Sequence, residues 1–370
     1  VSTYLPQRCG IAAYTSFLID GIRETSSDVK VRVIAEKEAS PVKNEFLEVV
    51  PCWSRNEDYV KQILAHVGNV DVIHVQHEYS IYKFDERLPS LLRKIPSNIK
   101  KVLTIHCVRP GQVCERGNVD EEYSRKIARL ADHIIVHLDS QRSILSRLGI
   151  PTEKISVIPH GTKIDDQDRE ASRKRLNLPL DGKILLMFGF VKPHKCIHIA
   201  LEALHKVLRE LKNVYLFIAG GLAPNAPKEH EEYARFVKRR IMELGLEKNV
   251  IFGNKYFPDE DVPYLFGASD IVLFPYYEED RSASGSLHLS IGAGKIVIAS
   301  RIPKFEELKN ISDELLVLPY NVDAIANLIL RIFTEPEFNQ FLFKRTMEYR
   351  EITSWKNIAK KHLELYKKLL

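Results

Sequence analysis

Leu273-Phe-Pro-Tyr-Tyr-Glu-Glu-Asp-Arg-Ser-Ala-Ser-Gly-Ser-Leu-His-Leu-Ser-Ile-Gly-Ala-Gly294 decides the reading of the chain, together with the apolar run Lys295-Ile-Val-Ile-Ala-Ser300 that follows it. A short apolar strand, Ile271 to Phe274, stops at Pro275. A polar, acidic loop comes next. Ser282-Ala-Ser-Gly-Ser286 then opens a helix whose far end is broken by Gly292 and Gly294, and a second apolar strand begins. Strand, small-residue loop, helix start and strand make a βαβ unit whose free backbone N–H groups point at an anion. The expected anion is the phosphate group of a nucleotide-linked donor.

Outward from this stretch, the same alternation covers the whole chain. A length of 370 residues exceeds the comfortable size of one hydrophobic core, so two domains are expected. In the first half, apolar strands are expected at Val29 to Ala35, Asp71 to Tyr79, Lys101 to His106, His133 to His137 and Ile155 to Ile158. A polar stretch runs from the first of these to about Asn44, and the next element expected is a helix over Asp58 to Val67. Ile11 to Ile22 reads as a helix entered from Gly10, and the opening residues read as the end of a strand whose earlier part precedes Val1. Strands that are nearly all apolar and separated by helices indicate parallel sheets covered on both faces. Charged residues up to about Lys174 read as a linker. A second set of strands then begins at Lys183, and two helical patterns meeting near Thr353-Ser354-Trp355 close the chain. The last pattern has an apolar face of Trp355, Ile358, Leu363, Tyr366 and Leu370, which calls for a partner surface on the first domain. The expected division is 1–168, 169–345 and a returning helix over 346–370.

Composition removes several function classes. Hydrophobic residues are 45% and charged residues 28%, as in a soluble globular protein. A net charge of +5, from 54 basic against 49 acidic residues, is too diffuse for a nucleic-acid surface. It suits anionic small substrates and tolerates a peripheral contact with an anionic membrane. No run approaches a membrane span, and no signal peptide is visible. Five scattered cysteines have no zinc or redox spacing, although Cys107 and Cys114 are near enough in sequence to pair; a reducing cytoplasm is expected. No chelating cluster appears, so no metal is expected.

Ligands of open parallel sheets lie beyond the carboxyl ends of the strands. That rule selects Gly10, His77, Glu78, His106, Gly189 to Lys195, Gly220, Gly221 and the loop from Glu278 to Ser286, placed around a common cleft. Lys192 and Lys195 lie close to a helix N-terminus, a poor place for a cation unless an anion sits between. Lys195 is the preferred ligand. His106 ends a strand: it is either a buried imidazole holding a loop carbonyl or a group that bonds a sugar and assists at the reacting centre. Glu306, after Pro303, either reaches a ribose or starts a helix.

With those residues assembled, the chain resembles the retaining, nucleotide-sugar-dependent glycosyltransferases of the GT-B type, family 4-like and including the group 1 glycosyl transferases. The resemblance rests on Arg8-Cys-Gly-Ile-Ala-Ala-Tyr14, the strand ending in His106 and Ile158-Pro-His-Gly-Thr162. In the second half it rests on Gly189 to Lys195, Phe217-Ile-Ala-Gly220, Val250-Ile-Phe-Gly253, Ala268 to Pro275 and Gly292 to Ser300. It implies an α/β fold of two doubly wound Rossmann-like domains facing a cleft. It also implies transfer of a hexose from a nucleoside-diphosphate sugar to a hydroxyl of a saccharide or other glycan-type acceptor, with no further cofactor. Gly10 would face a donor or acceptor phosphate and His106 the transferred sugar. Lys195 matches the family's phosphate lysine. Gly253 and Asn254 would lie near the base, and Ser284, Gly285, Ser286 and Leu287 would meet the diphosphate. Two positions depart from the pattern. The family's arginine five residues before that lysine is Phe190 here, and its two donor-loop glutamates are Arg281 and Leu289. Arg281 would replace the missing cation. The departures keep open a non-catalytic nucleotide-sugar-binding module, and a sugar phosphorylase or epimerase of similar architecture is the other alternative.

Overall fold

A computed structural model describes residues 1–111, 119–278 and 282–370. The chain divides into two compact units, one built mainly from Val1–Gly161 and Thr353–Leu370, the other from Thr162–Glu279 and Ser284–Ile352. The divisions therefore fall at residues 161/162 and 352/353, against the expected 168 and 345.

The first unit runs α1 (Gly10–Thr25), β1 (Val31–Glu36), β2 (Val42–Lys43), β3 (Leu47–Trp53), α2 (Tyr59–Val67), β4 (Val72–His77), α3 (Tyr79–Tyr82), α4 (Arg87–Lys94), β5 (Lys100–Ile105), α5 (Val119–Leu130), β6 (His133–Val136), α6 (Asp139–Arg147) and β7 (Ile155–Val157). Strands β4-β5-β6-β7 form one parallel sheet and β1-β3-β2 a second, in which β2 is antiparallel to β3. Val1 and Ser2 join the two: Ser2 N–H donates to Ile34 O at 3.2 Å, and Gln76 N–H donates to Val1 O at 3.1 Å. Strand β3 is absent from the sequence reading because Pro51 interrupts its apolar run. Pro51 sits opposite Ala35, where the register with β1 shifts, so the donor it lacks falls at an irregularity. Its last residue, Trp53, is fully buried, donates Nε1–H to Ile34 O at 3.0 Å and stacks on Tyr82.

The second unit runs α7 (Arg169–Leu176), β8 (Lys183–Phe188), α8 (Ile197–Val207), β9 (Val214–Ala219), α9 (Lys228–Glu243), β10 (Val250–Phe252), α10 (Val262–Ala268), β11 (Ile271–Phe274), α11 (Gly285–Gly292), β12 (Ile296–Ser300), β13 (Leu316–Val317), α12 (Val322–Thr334) and α13 (Pro336–Ile352). Its strands form one parallel sheet in the order β10-β9-β8-β11-β12-β13. Ile184-Leu-Leu-Met187, Leu216 to Ala219, Ile271 to Phe274 and Ile296 to Ala299 are all buried, as strands covered on both faces require. The residues expected as a linker are helix α7. Asp168 caps it through Ala171 N–H, and Arg173, fully buried, spends its guanidinium on the carbonyls of Ala268, Pro179, Leu180 and Gly182 and on Asp270 at 2.7 Å. A charged pattern hid a helix because its key charge points inward.

The last helix, α14 (Trp355–Leu369), belongs to the first unit and packs along α1. Ser354 caps it, accepting from Asn357 N–H. Gly21 makes the close approach possible, since a Cβ there would stand 2.4 Å from Trp355 O. Trp355, Ile358 and Leu363 are buried as the apolar face predicts, whereas Leu370 is exposed.

Candidate functional site

The order in which strands are added to the second sheet reverses between β8 and β11: β9 and β10 extend to one side, β12 and β13 to the other. Beside such a switch point the loops diverge and leave a crevice at the carboxyl ends of the strands. Strands β8 and β11 pair in parallel, with Leu185 opposite Ile271, so the loops after Phe188 and Phe274 leave the same sheet edge. Glycines let backbones crowd there. A Cβ on Gly220 would lie 2.1 Å from Gly189 O, and one on Gly221 2.9 Å from the Asn254 carbonyl carbon. Gly189 itself adopts φ +99°, open to glycine without strain.

That glycine makes room for Lys195. Its ammonium sits 2.6 Å from where a Gly189 Cβ would be, donates to Phe188 O at 3.0 Å and lies over the Tyr276 ring at 5.5 Å. Burial pushes its pKa down to about 8, Lys192 and Lys304 adding to the fall and Glu278 opposing it. A cation forced into this position beside two others is stabilised when an anion joins it. Lys195 ends a single tight turn, Pro193–Lys195, and Cys196, in the left-handed region, starts α8. An ion pair ties Glu278 to Lys304 at 3.2 Å, and the His194 ring, its pKa lowered by burial, stands 3.8 Å from the same carboxylate.

Helix α11 opens beyond β11. Ser284 is its N-cap, its Oγ accepting from Leu287 N–H at 3.2 Å, which leaves the amides of Gly285 and Ser286 at the first turn. Gly285 is exposed, and nothing lies within 4 Å of a Cβ built on it. Leu287 and His288 turn inward. His288 bonds Thr162 Oγ1 at 2.8 Å through Nδ1 and Glu307 at 3.1 Å through Nε2, and Tyr349 OH donates to the other Glu307 oxygen at 3.0 Å.

In the first unit, Gly10 begins α1 in the same manner: Cys9 Sγ caps Ala12 N–H, and a Cβ on Gly10 would meet nothing within 4 Å. His106 follows β5 and is buried. Its ring stands edge-on to Tyr14 and bonds Gln76 at 2.9 Å through Nε2 and His137 at 3.0 Å through Nδ1. His137 Nδ1 in turn lies 2.9 Å from Ile158 O, so the two rings are held in one chain of polar contacts from Gln76 to Ile158. Burial and then the neighbouring His137 hold His106 well below the usual imidazole pKa. The ring is neutral and fixed at pH 7. His77 and Glu78 do not form an acid–base couple: His77 is buried among Tyr79, Tyr82 and Tyr123, while Glu78 caps α3 through Ser80 N–H.

The sequence-predicted residues thus fall into two groups. Lys195, Gly253, Asn254, Ser284, Gly285, Ser286, Leu287 and Glu306 belong to the second unit, Gly10 and His106 to the first. Gly253 and Asn254 follow β10, Asn254 exposed at φ +41°, and Glu306 is half-buried in the turn Pro303–Asn310. Leu287 offers a buried side chain and an amide already used by Ser284. Arg281 and Cys114 lie outside the described residues. Lys304 is absent from the sequence reading, although the strand-end rule applied to β12 points to it. Among the described residues no group of three His, Cys, Asp or Glu is placed to hold a metal ion, and no helix is long and apolar enough to cross a membrane.

Comparison with known proteins agrees with this layout. Residues 10–166 match the model of Glycosyltransferase Family 4, and residues 168–347 that of Glycosyl transferases group 1. A lipopolysaccharide 1,2-N-acetylglucosaminetransferase of Salmonella typhimurium is 28% identical over 224 residues, covering 59% of this chain and 58% of that protein. The chain therefore aligns with little more than half the length of that relative. The crystal structure of Anabaena Alr3699/HepE in complex with UDP superposes with a TM-score of 0.72 at 16% identity, over 99% of this chain and 98% of the other. Sucrose-phosphate synthase from Thermosynechococcus elongatus gives 0.72 at 21% identity, over 97% and 93%. Two Rossmann-like α/β units, each matched by its own glycosyltransferase model, put the chain in the GT-B-fold, family 1/4-like glycosyltransferase superfamily.

Proposed function

We propose that the chain is a retaining glycosyltransferase that moves a hexose from a nucleoside diphosphate to a hydroxyl of a saccharide or other glycan-type acceptor. The observation that carries this reading is the cationic group around Lys195 at the switch point of the second sheet. UDP in the similar Anabaena structure supports a nucleoside diphosphate as the donor's leaving group. In the reaction the bond from the anomeric carbon to the diphosphate oxygen breaks, and its electron pair leaves with the phosphate. The acceptor oxygen attacks from the same face, and its proton passes to the departing phosphate oxygen. No protein nucleophile is then needed. Charge grows on the diphosphate as the bond breaks, so Lys195 and the first-turn amides of α11 stabilise the transition state more than the ground state. His106, neutral and buried, is suited to positioning a sugar rather than to exchanging protons. The scattered cysteines favour a cytoplasmic setting for the protein.

Nucleoside diphosphates screened for thermal stabilisation, followed by their hexose conjugates with candidate acceptors, identify the donor. Lys195→Ala should lower kcat by about 10²–10³; unchanged turnover at saturating donor rejects the role. The second reading, a non-catalytic nucleotide-sugar-binding module, draws on Arg281 and Leu289 at the donor-loop glutamate positions. Tight diphosphate binding with neither hydrolysis nor transfer would select it.

A further inference from the structure

Phe190 occupies the place where a second cation is expected, yet the crevice is not short of positive charge. Lys192, Lys195 and Lys304 all act on His194, and Lys192 and Lys304 both act on Lys195, so the three ammonium groups share one neighbourhood. Lys304 comes from the turn after β12, the next strand beyond β11 in the sheet. It is largely enclosed, with its side chain 13% exposed, and its ammonium holds Glu278 at 3.2 Å. Glu278, 18% exposed, also faces His194 at 3.8 Å, and Tyr277 N–H donates to His194 O at 2.8 Å. Among the described residues, Lys304 pairs with Glu278 and Lys195 feels the same carboxylate, while Lys192 adds a third positive charge beside them. Removing charges from water is costly, and the cost is met when further anionic oxygens approach.

We propose that Lys304 is the second diphosphate-binding cation of this chain, standing in for the cation absent at Phe190, and that Glu278 is its exchangeable counter-ion, displaced by the donor's phosphate oxygens. This rests on the donor-site reading above. An internal carboxylate that must leave makes the site selective: a monoanion cannot outcompete it as a diphosphate can. Glu278 then keeps the lysines paired between turnovers.

The exchange gives two substitutions opposite signs. Calorimetric titration with inorganic pyrophosphate, UDP and uridine separates the phosphate contribution from that of the base. Lys304→Met should weaken pyrophosphate and UDP by about 10–100-fold, the loss of one charge-assisted contact. Lys304→Arg should stay within about threefold of the wild type, and uridine should bind all three proteins alike. Glu278→Gln should tighten pyrophosphate by about threefold or more, because the competitor is gone. A purely structural ion pair predicts instead that Glu278→Gln leaves affinity unchanged or weaker, and either result overturns the proposal. Should Lys304→Met fail to fold, Glu278→Gln and Lys304→Arg decide. If Lys195→Ala abolishes pyrophosphate binding while Lys304→Met does not, Lys304 alone loses its role. If neither affects binding, the donor-site reading fails first.

Discussion

The two units bury polar groups of opposite character. The first encloses imidazoles that burial keeps neutral: His74, His77, His106 and His362 lie among Tyr14, Tyr79, Tyr82 and Tyr366, bonded to hydroxyls, to a carbonyl and to His137 where they are bonded at all. The second encloses cations: Arg173 on four carbonyls and Asp270, Lys295 on Gly267 O, Lys195 on Phe188 O and Lys304 on Glu278. A neutral polar lining can meet sugar hydroxyls without charge, and a cationic one is stabilised by phosphate.

The largest effect should come from breaking a buried charge in the second unit. Arg173→Ala leaves Asp270 with only Arg169 as a cation and takes the buried guanidinium away from the carbonyls of Ala268, Pro179 and Leu180, and should cost about 3–5 kcal/mol in denaturant melts. A loss below 1 kcal/mol would show that water replaces the guanidinium and that the burial is only apparent.

The first unit should instead be the acid-sensitive one. Burial lowers the pKa of His77 from 6.5 to about 3 and that of His362 to about 4. The unfolded chain therefore binds more protons as the pH falls, and stability present above pH 6.5 is lost progressively below it. Each imidazole should remove about 1.4 kcal/mol per pH unit until its folded pKa is reached. Neither ring nitrogen of His77 has a partner, so His77→Phe should flatten the slope by one proton without loss of stability at pH 7. Melting temperatures across pH 4 to 8, for both proteins, are the measurement.

Diphosphate binding should carry the opposite signature. Lys195, down at about 8 when free, is raised by an anionic partner, so binding takes up a proton. Affinity should fall by up to about tenfold per unit as the pH rises above 8, and calorimetry in buffers of different ionisation enthalpy should detect the uptake. A flat profile to pH 9.5 would remove Lys195 from the site.

The smallest effect separates folding from binding at one residue. Gly285→Ala has open space for its Cβ and should leave stability the same or raise it by up to about 1 kcal/mol. The same methyl should weaken pyrophosphate binding if α11 presents its first turn to the anion. Gly161→Ala is the control in the first unit: its Cβ would fall 2.2 Å from the Trp355 ring, and the fold must yield.

Much of this was legible beforehand because it is local. Apolar runs of strand length, helical spacing and glycines at strand ends report on a few neighbouring residues, and they located β8, β9, β11 and β12, the helix start at Gly285 and the turn bearing Lys195. Ser354 announced the last helix in the same way. Strand β3 escaped because Pro51 breaks its local pattern and the irregular pairing with β1 that tolerates it is not a local property. Helix α7 escaped because its charges look solvated until Arg173 meets Asp270, 97 residues on. His106 was identified as a strand-end histidine, but the contacts that hold its ring, to Gln76 and to His137, join segments that no spacing brings together. The sequence by itself determined the alternation of elements and the small-residue openings of the helices, since backbone sterics and burial periodicity act over a few residues. Only the tertiary structure decided which charges are neutralised and by whom, because desolvation and Coulomb attraction depend on distances between segments the chain brings together only on folding.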